Sequence, residues 1–303
     1  LAQVRLSSCW ATIGAFDGVH RGHQEIITDL VAGARKAGQT PVVVTFHPHP
    51  SLVLSGQERP FYLTMPEQRA DLLADLGVEV VITYPFNRDV ARMSAEDFLS
   101  GLNDRLGLRE LWVGYDFALG KDREGDTETL RQLGKKFHYQ LHITPPYELD
   151  GRLVSSSAIR SMLRHGKVRE ANRFLGRVFT LRGEVVAGDR RGRSLGFPTS
   201  NLKIPETMID LQPGVYAGFV TTSHGTWQAV TNIGYRPTFE EEKVPLRIET
   251  HLLDFSEDLY QQQIELSFHA KLRDEKKFNS AEELIQQIEQ DVQTTRKLLS
   301  KEE

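Results

Sequence analysis

A single cysteine, Cys9, stands among 303 residues, so no intramolecular disulfide can form and a reducing compartment suits the chain. Its thiol reads as packing rather than as a nucleophile. No apolar run approaches the roughly 20 residues that a membrane span needs, and the N-terminus lacks a charged-then-apolar leader pattern. The expected compartment is the cytoplasm. Neither sign of charge dominates: a net charge of -4 gives no electrostatic footprint for nucleic acid or an anionic membrane, and small ligands handled by local charge clusters are expected instead. Internal repeats and low-complexity tracts are missing, and so is the GxxxxGK[ST] string of a P-loop. What is there, 39% hydrophobic and 26% charged residues, is the composition of a globular protein long enough for two domains.

Apolar runs alternate with helical patterns through the first half: Trp10 to Gly14 then Gly22 to Ala37, Pro41 to Phe46 then Pro66 to Leu76, Val78 to Tyr84 then Ala95 to Leu106. Glu110 to Val113, Thr127 to Phe137 and Gln140 to Thr144 continue the series. Short buried strands between helices imply βαβ units and a parallel sheet covered on both faces. After about Leu175 the rhythm changes. Val178 to Val186, Val215 to Thr222, Thr226 to Ile233, Leu246 to Leu253 and Ile264 to Leu272 read as strands without intervening helices, so an antiparallel barrel is expected. A last helix follows, with Ser280 and Glu283 at capping-box spacing and an apolar stripe through Leu284, Ile285, Ile288, Val292 and Leu298. Ala158 to Leu175 is helical in pattern, and the domain boundary is placed at 174/175.

The stretch "GAFDGVHRGH", Gly14 to His23, leads from a strand through a glycine-bearing turn into a helix. That is the edge of an open α/β sheet where ligands sit, and the helix start offers free N–H groups to phosphate. His20 and His23, at i and i+3, can both reach an anion there. Gly22 between them would let a nucleotide approach the backbone. A zinc site needs at least one further ligand, and neither a carboxylate nor a cysteine stands at suitable spacing.

The same residues carry a resemblance. "GAFDGVHRGH" resembles the HxGH motif of nucleotidyltransferases, in the form found in the FMN adenylyltransferase module of bacterial bifunctional riboflavin kinase/FAD synthetases. "VVVTFHPHPSLVL", "MSAEDFL", "VGYDFALGKDREGD" and "VSSSAIRSML" follow in the family's order; the last is similar to an ISSTxxR element, with Ser157 where threonine is usual. The resemblance implies that FMN phosphate attacks the α-phosphorus of ATP. It implies that His20 and His23 polarise ATP phosphates, with Gly14, Phe16, Asp17 and Gly22 around the nucleotide, while Ser156, Ser157 and Arg160 hold the β and γ phosphates. Asp116 and Phe117 are expected on the flavin side. His47, where the family more often has an acidic residue, and Ala118-Leu119, in place of a basic-aromatic pair, depart from the pattern.

"GDRRGRSLGFPTSNL", Gly188 to Leu202, is the second dense stretch: a glycine-arginine loop that could cover phosphates, then oxygen donors suited to a hard cation. An arginine-rich surface loop is the bland alternative. Here "GRSLGFPTSNL" is similar to the GRxLGFPTANL motif of riboflavin kinases, with Ser200 for alanine, and "PGVYAG", "NIGYRPTF", "IETHLLDF" and "LRDEKKF" complete the set. The resemblance implies that Gly188, Arg193, Gly196, Pro198 and Thr199 contact ATP, that Thr199 and Asn201 hold Mg²⁺, and that Glu249 is the general base toward the ribityl 5′-hydroxyl. Asn201 and Glu249 thus join His20 and His23 as catalytic candidates, and Arg273 is placed near the flavin or the phosphates.

The expected architecture is therefore α/β plus β: a Rossmann-like nucleotidyltransferase domain with a parallel sheet over residues 1-174, and a small antiparallel β-barrel with a terminal helix, the riboflavin kinase domain, over 175-303. The implied substrates are riboflavin, FMN and ATP, with Mg²⁺ in both steps, no nucleic acid or membrane partner, and self-association not predicted. Two alternatives stay open: a riboflavin kinase with weak or lost adenylylation, suggested by His47 and Ala118-Leu119, and a non-catalytic flavin-binding regulator.

Overall fold

The computed structural model describes residues 4–56, 60–188, 195–235 and 246–300. They divide into two compact units, Leu1–Ser156 and Ser157–Glu303.

The first unit is a five-stranded parallel sheet. Its elements are β1 (Cys9–Ile13), α1 (Arg21–Lys36), β2 (Thr40–His47), α2 (Pro50–Ser55), α3 (Pro66–Asp75), β3 (Val80–Pro85), α4 (Ala95–Leu106), β4 (Leu108–Gly114), α5 (Thr127–Phe137) and β5 (Gln140–Thr144), then a small hairpin of β6 (Glu148–Leu149) and β7 (Arg152–Leu153). The strand order is β3-β2-β1-β4-β5, with every pairing in the five-stranded sheet parallel. Chain reversal between β3 and β4 puts a topological switch point beside β1, the strand that leads into the histidine-bearing turn. Side chains alternate between two apolar layers. Ala11, Ile13, Val42, Val44 and Leu111 pack with Phe98, Leu99 and Leu102 of α4 and with Leu130 of α5, whereas Val43 packs with Ile27 and Val31 of α1 and Leu73 of α3. The helices begin where polar side chains take up their free amides: Ser94 Oγ accepts from Asp97 N at 3.0 Å, and Asp126 Oδ1 from Thr129 N at 2.9 Å.

From α6 (Ser156–Arg164) onward the chain enters the second unit. The helical pattern read as one stretch breaks at Gly166, whose φ of +70° suits a residue without Cβ, and α7 (Val168–Leu175) follows. Asn172 of α7 donates Nδ2 to Phe268 O and accepts from Phe179 N, both at 2.8 Å, so this helix is anchored to barrel backbone.

The barrel strands are β8 (Phe179–Val186), β9 (Ser200–Lys203), β10 (Gly214–Thr222), β11 (Gly225–Tyr235), β12 (Leu246–Leu252) and β13 (Gln263–Arg273). They close in the order β10-β11-β12-β9-β8-β13, all antiparallel. Alternate residues point inward, Ile248, Thr250 and Leu252 on β12 and Ile264, Leu266, Phe268 and Ala270 on β13. Five strands were legible in the sequence. The sixth, β9, is a four-residue segment inside "PTSNL" whose strand character comes from its neighbours: it completes the ladders of both β8 and β12. The terminal helix α8 (Ala281–Leu299) starts at Ser280, whose Oγ accepts from Glu283 N at 3.2 Å. The Glu283 carboxylate reaches back to Asn279 N at 3.0 Å, one residue before the position a capping box would use.

Candidate active sites

The turn after β1 is held in a conformation that only dense support would keep. Phe16 and Val19, both buried, have φ of +47° and +39°, a region that L side chains rarely adopt. Two fully buried groups provide the support. The Asp17 carboxylate accepts from Leu63 N at 3.0 Å, Thr64 N at 3.1 Å and Thr64 Oγ1 at 3.4 Å, and Gly18 N donates to Thr64 Oγ1 at 3.0 Å. Arg69 of α3 donates Nη1 to Ala15 O, Thr45 Oγ1 and Phe46 O, and Nη2 to Thr64 O, at 2.9–3.3 Å. The Asp17 side chain, expected near the nucleotide, is part of the internal frame of the turn: it is buried and accepts from the Leu63 and Thr64 amides.

On that frame sit the histidines. His20 is the N-cap of α1, its Nδ1 accepting from His23 N at 3.4 Å, which assigns the proton of the neutral ring to Nε2. The two imidazoles stack at 3.5 Å between centroids and 18°, and the Phe16 ring meets His23 edge-on at 5.0 Å. Gly14 makes room for Phe16, since a Cβ there would lie 3.0 Å from its ring. Gly22 has a reason other than nucleotide approach: a Cβ would press on Tyr147 and on the His20 ring at 3.3–3.4 Å. Ser156, the first residue of α6, donates Oγ to Asp17 O at 2.8 Å, which ties Ser156 to the turn. Ser157 and Arg160 follow on the same helix, Arg160 with its side chain buried.

Asp116 is exposed at the end of β4, and Arg123 Nη2 donates to its carbonyl at 2.8 Å. Phe117 is half-buried and packs against the sheet core. His47 ends β2 beside Arg69; burial first, and the Arg69 charge second, hold its ring below the ordinary range.

In the second unit the outward faces of β9, β12 and β11 form one rung. Glu249 lies opposite Asn201 on one side and Asn232 on the other. With Thr199 these line a cavity of about 390 Å³, a size suited to a small-molecule ligand. Val215, Val230, Phe197, Phe278, Leu284 and Ile288 supply apolar walls. Gly188 is required by the site: a Cβ would come within 1.9 Å of Asn201 Nδ2. Gly196 has φ of +89°, and Pro198 O accepts from His251 Nδ1 at 2.7 Å, which fastens the segment before Thr199 to β12. Arg193 lies outside the described residues. Arg273 also lines the cavity, but its guanidinium is committed to Asp291 of α8, with Nη2 to Oδ2 at 2.8 Å and Nε to both carboxylate oxygens. It therefore braces β13 against α8.

Thr199 and Asn201 offer a hydroxyl and an amide oxygen, donors that fit Mg²⁺. Among the described residues no group of three or more His, Cys, Asp or Glu could hold a metal ion, so the fit is to a cation carried largely by nucleotide phosphates and water.

Three residues escaped the sequence reading. Arg69 and Thr64 gave no signal, since "TMPEQRADLL" reads as an ordinary helix start with solvated charges. Arg247 did: it stands two residues before Glu249 and so shares its strand face, and its Nη2 meets Glu249 Oε1 at 2.6 Å. A second cleft of about 400 Å³, between α5 and β5, holds none of the motif residues.

Residues 2–158 match the sequence family described as FAD synthetase, and residues 175–299 the family described as riboflavin kinase. A bifunctional riboflavin kinase/FMN adenylyltransferase of Pseudomonas fluorescens is 38% identical over 291 residues, 96% of this chain and 93% of its own. A protein of the same description from Listeria monocytogenes is 35% identical over 290 residues, 95% of this chain and 92% of its own. A solved structure described as a macrolide-efflux protein from Streptococcus pneumoniae superposes with a TM-score of 0.89 at 29% identity, covering 97% of this chain and 96% of that one. Among the described residues of this chain, no helix is long and apolar enough to cross a membrane.

Proposed function

Because this chain belongs to the bifunctional riboflavin kinase/FMN adenylyltransferase family, we propose that each of its two constellations serves one of that family's two reactions. The enzyme phosphorylates riboflavin with ATP to FMN and ADP, then transfers the adenylyl group of a second ATP to FMN, giving FAD and pyrophosphate. The functional boundary is placed at 174/175, with adenylylation in residues 1-174 and phosphorylation in 175-303.

In the kinase step the ribityl 5′-hydroxyl attacks the γ-phosphorus of ATP, its proton passes to Glu249, and ADP leaves. A carboxylate on a hydrogen-bonded strand keeps its place against that hydroxyl, as a general base must. Thr199 and Asn201 would hold Mg²⁺, which when bound neutralises phosphate charge. Gly188, Arg193, Gly196 and Pro198 belong to the segment that covers the nucleotide. In the adenylyl step an FMN phosphate oxygen attacks the α-phosphorus and pyrophosphate departs, so the protein has to orient and to neutralise charge without a covalent nucleophile. His20 and His23 polarise the phosphates from the start of α1, and Ser156, Ser157 and Arg160 grip the pyrophosphate end. Asp116 is read as a contact to the FMN side.

The observation that carries the reading is the rung of Asn201, Glu249 and Asn232 beside Thr199 in one flavin-sized cavity. Incubation with riboflavin, ATP and Mg²⁺, followed by chromatography over time, should show FMN rising and then giving way to FAD. FMN that accumulates without FAD or pyrophosphate would favour a kinase with lost adenylylation; riboflavin bound without ATP consumption would favour a regulator. The cytoplasm is the proposed compartment, and a net charge of -4 supports small-molecule rather than nucleic-acid partners.

A further inference from the structure

We propose that Arg247 is a positioning residue of the phosphorylation site, a guanidinium that holds the Glu249 carboxylate and the Asn201 amide oxygen in one arrangement and acts on turnover through Glu249. The proposal rests on the reading of Glu249 as the base.

Arg247, Glu249 and His251 share the outward face of β12 by the two-residue period of a strand, while Ile248, Thr250 and Leu252 turn into the barrel. The guanidinium bridges two strands. Nη2 meets Glu249 Oε1 at 2.6 Å on β12, and Nε donates to Asn201 Oδ1 at 3.3 Å on β9, where Asn201 stands directly opposite Glu249. Among the described residues, Glu249 Oε1 has this one ion-pair partner, and the other cations of the cavity wall are engaged elsewhere: Arg273 with Asp291, Lys276 Nζ with Gln287 Oε1 at 2.5 Å.

A glutamate on a strand has three side-chain torsions, and a general base has to stay within about 2.6–3.2 Å of the proton it takes. Fixing Oε1 on Arg247 narrows those torsions and leaves Oε2 to accept the proton. The planar fork of arginine, with donors diverging from one rigid group, spans two acceptors on neighbouring strands; a lysine, a single point charge, does not. The pair is about 30% exposed on each side, 30% for Arg247 and 27% for Glu249. Such a bridge adds little to folding stability, so the effect of removing it falls on the geometry of the carboxylate.

The test is a double-mutant cycle in the full chain with Arg247→Met and Glu249→Gln, read by single-turnover phosphorylation of riboflavin. Arg247→Met alone should lower kcat on the order of 10- to 100-fold, with KM for riboflavin and calorimetric binding of Mg·ADP within about threefold of wild type and FMN adenylylation unchanged. In the Glu249→Gln background the same substitution should change the rate by less than about twofold, because the group it positions is gone. Arg247→Lys should recover part of kcat, and it serves in place of Arg247→Met should that variant fold poorly, which a lost cooperative unfolding transition of the barrel would reveal. An equal loss in both backgrounds, an unchanged kcat, or a loss confined to KM or Mg·ADP binding would overturn the proposal. A wild-type enzyme that makes no FMN sinks the reading of Glu249 as well; a wild-type enzyme that turns over beside an unaffected Arg247→Met sinks this inference alone.

Discussion

The carboxylate of Asp17 and the guanidinium of Arg69 lie 3.9 Å apart with neither side chain exposed to solvent, and the backbone of Ala15, Phe46, Leu63 and Thr64, in the histidine turn and the segments beside it, hydrogen-bonds the pair. A buried pair of this kind is costly to break from one side, because the remaining charge has no water to turn to.

Arg69→Met and Asp17→Ala should each destabilise the protein by about 3–5 kcal/mol, and the double variant by clearly less than the sum. Denaturant unfolding of the full chain reads this directly. Additive losses would mean that the two groups serve separate structures.

His23→Ala should lower FMN adenylylation by about 3 kcal/mol in transition-state stabilisation, roughly a hundredfold, while riboflavin phosphorylation keeps its wild-type rate. The comparison is made on one preparation with both assays. A kinase defect of similar size would contradict the division of labour.

Glu249→Gln is the converse. Riboflavin phosphorylation should fall by about 2 to 4 kcal/mol in transition-state stabilisation, with FAD still formed from supplied FMN. Loss of both steps together would argue against separate sites.

The His47 ring is held below its ordinary value of 6.5, chiefly by burial, then by Arg69, with Glu67 opposing. Between the depressed folded value and 6.5 the unfolded chain binds a proton that the native chain refuses, so stability rises with pH across that window and falls as pH drops through it. The denaturant midpoint should therefore decline on acidification below about pH 6.5, and less steeply in His47→Gln. Identical slopes in the two proteins would exclude His47 as a source.

Burial raises the Cys9 thiol to about 12. At about pH 8 the thiolate is scarce, and an aromatic disulfide reagent should label the native protein orders of magnitude more slowly than the unfolded chain. Rapid labelling of the native state would place Cys9 outside the core.

The period of apolar residues made the helices and most strands readable, because side-chain direction in regular structure follows from local geometry. The "HRGH" and "PTSN" strings pointed to the two candidate sites, since a strand-turn-helix edge and a glycine-bearing loop before oxygen donors each imply a ligand chemistry. The place of Asp17 inside the frame was not legible, because a carboxylate in such a turn looks the same in sequence whether it faces a ligand or the 63–64 amides. Arg69 was invisible, because its partners at Ala15, Thr45 and Phe46 are far from it along the chain.

By itself the sequence determined the two kinds of architecture, the place of each constellation at the end of a strand, and the residue types that could do the chemistry, all of which depend on neighbours a few positions apart. Tertiary structure alone decided that β9 closes the barrel, that Glu249 meets Asn201 across it with Arg247 between, and that a buried arginine props up the strained turn. Those facts require segments distant in the chain to meet, and a hydrogen bond or an ion pair between such segments leaves no period to read in either one.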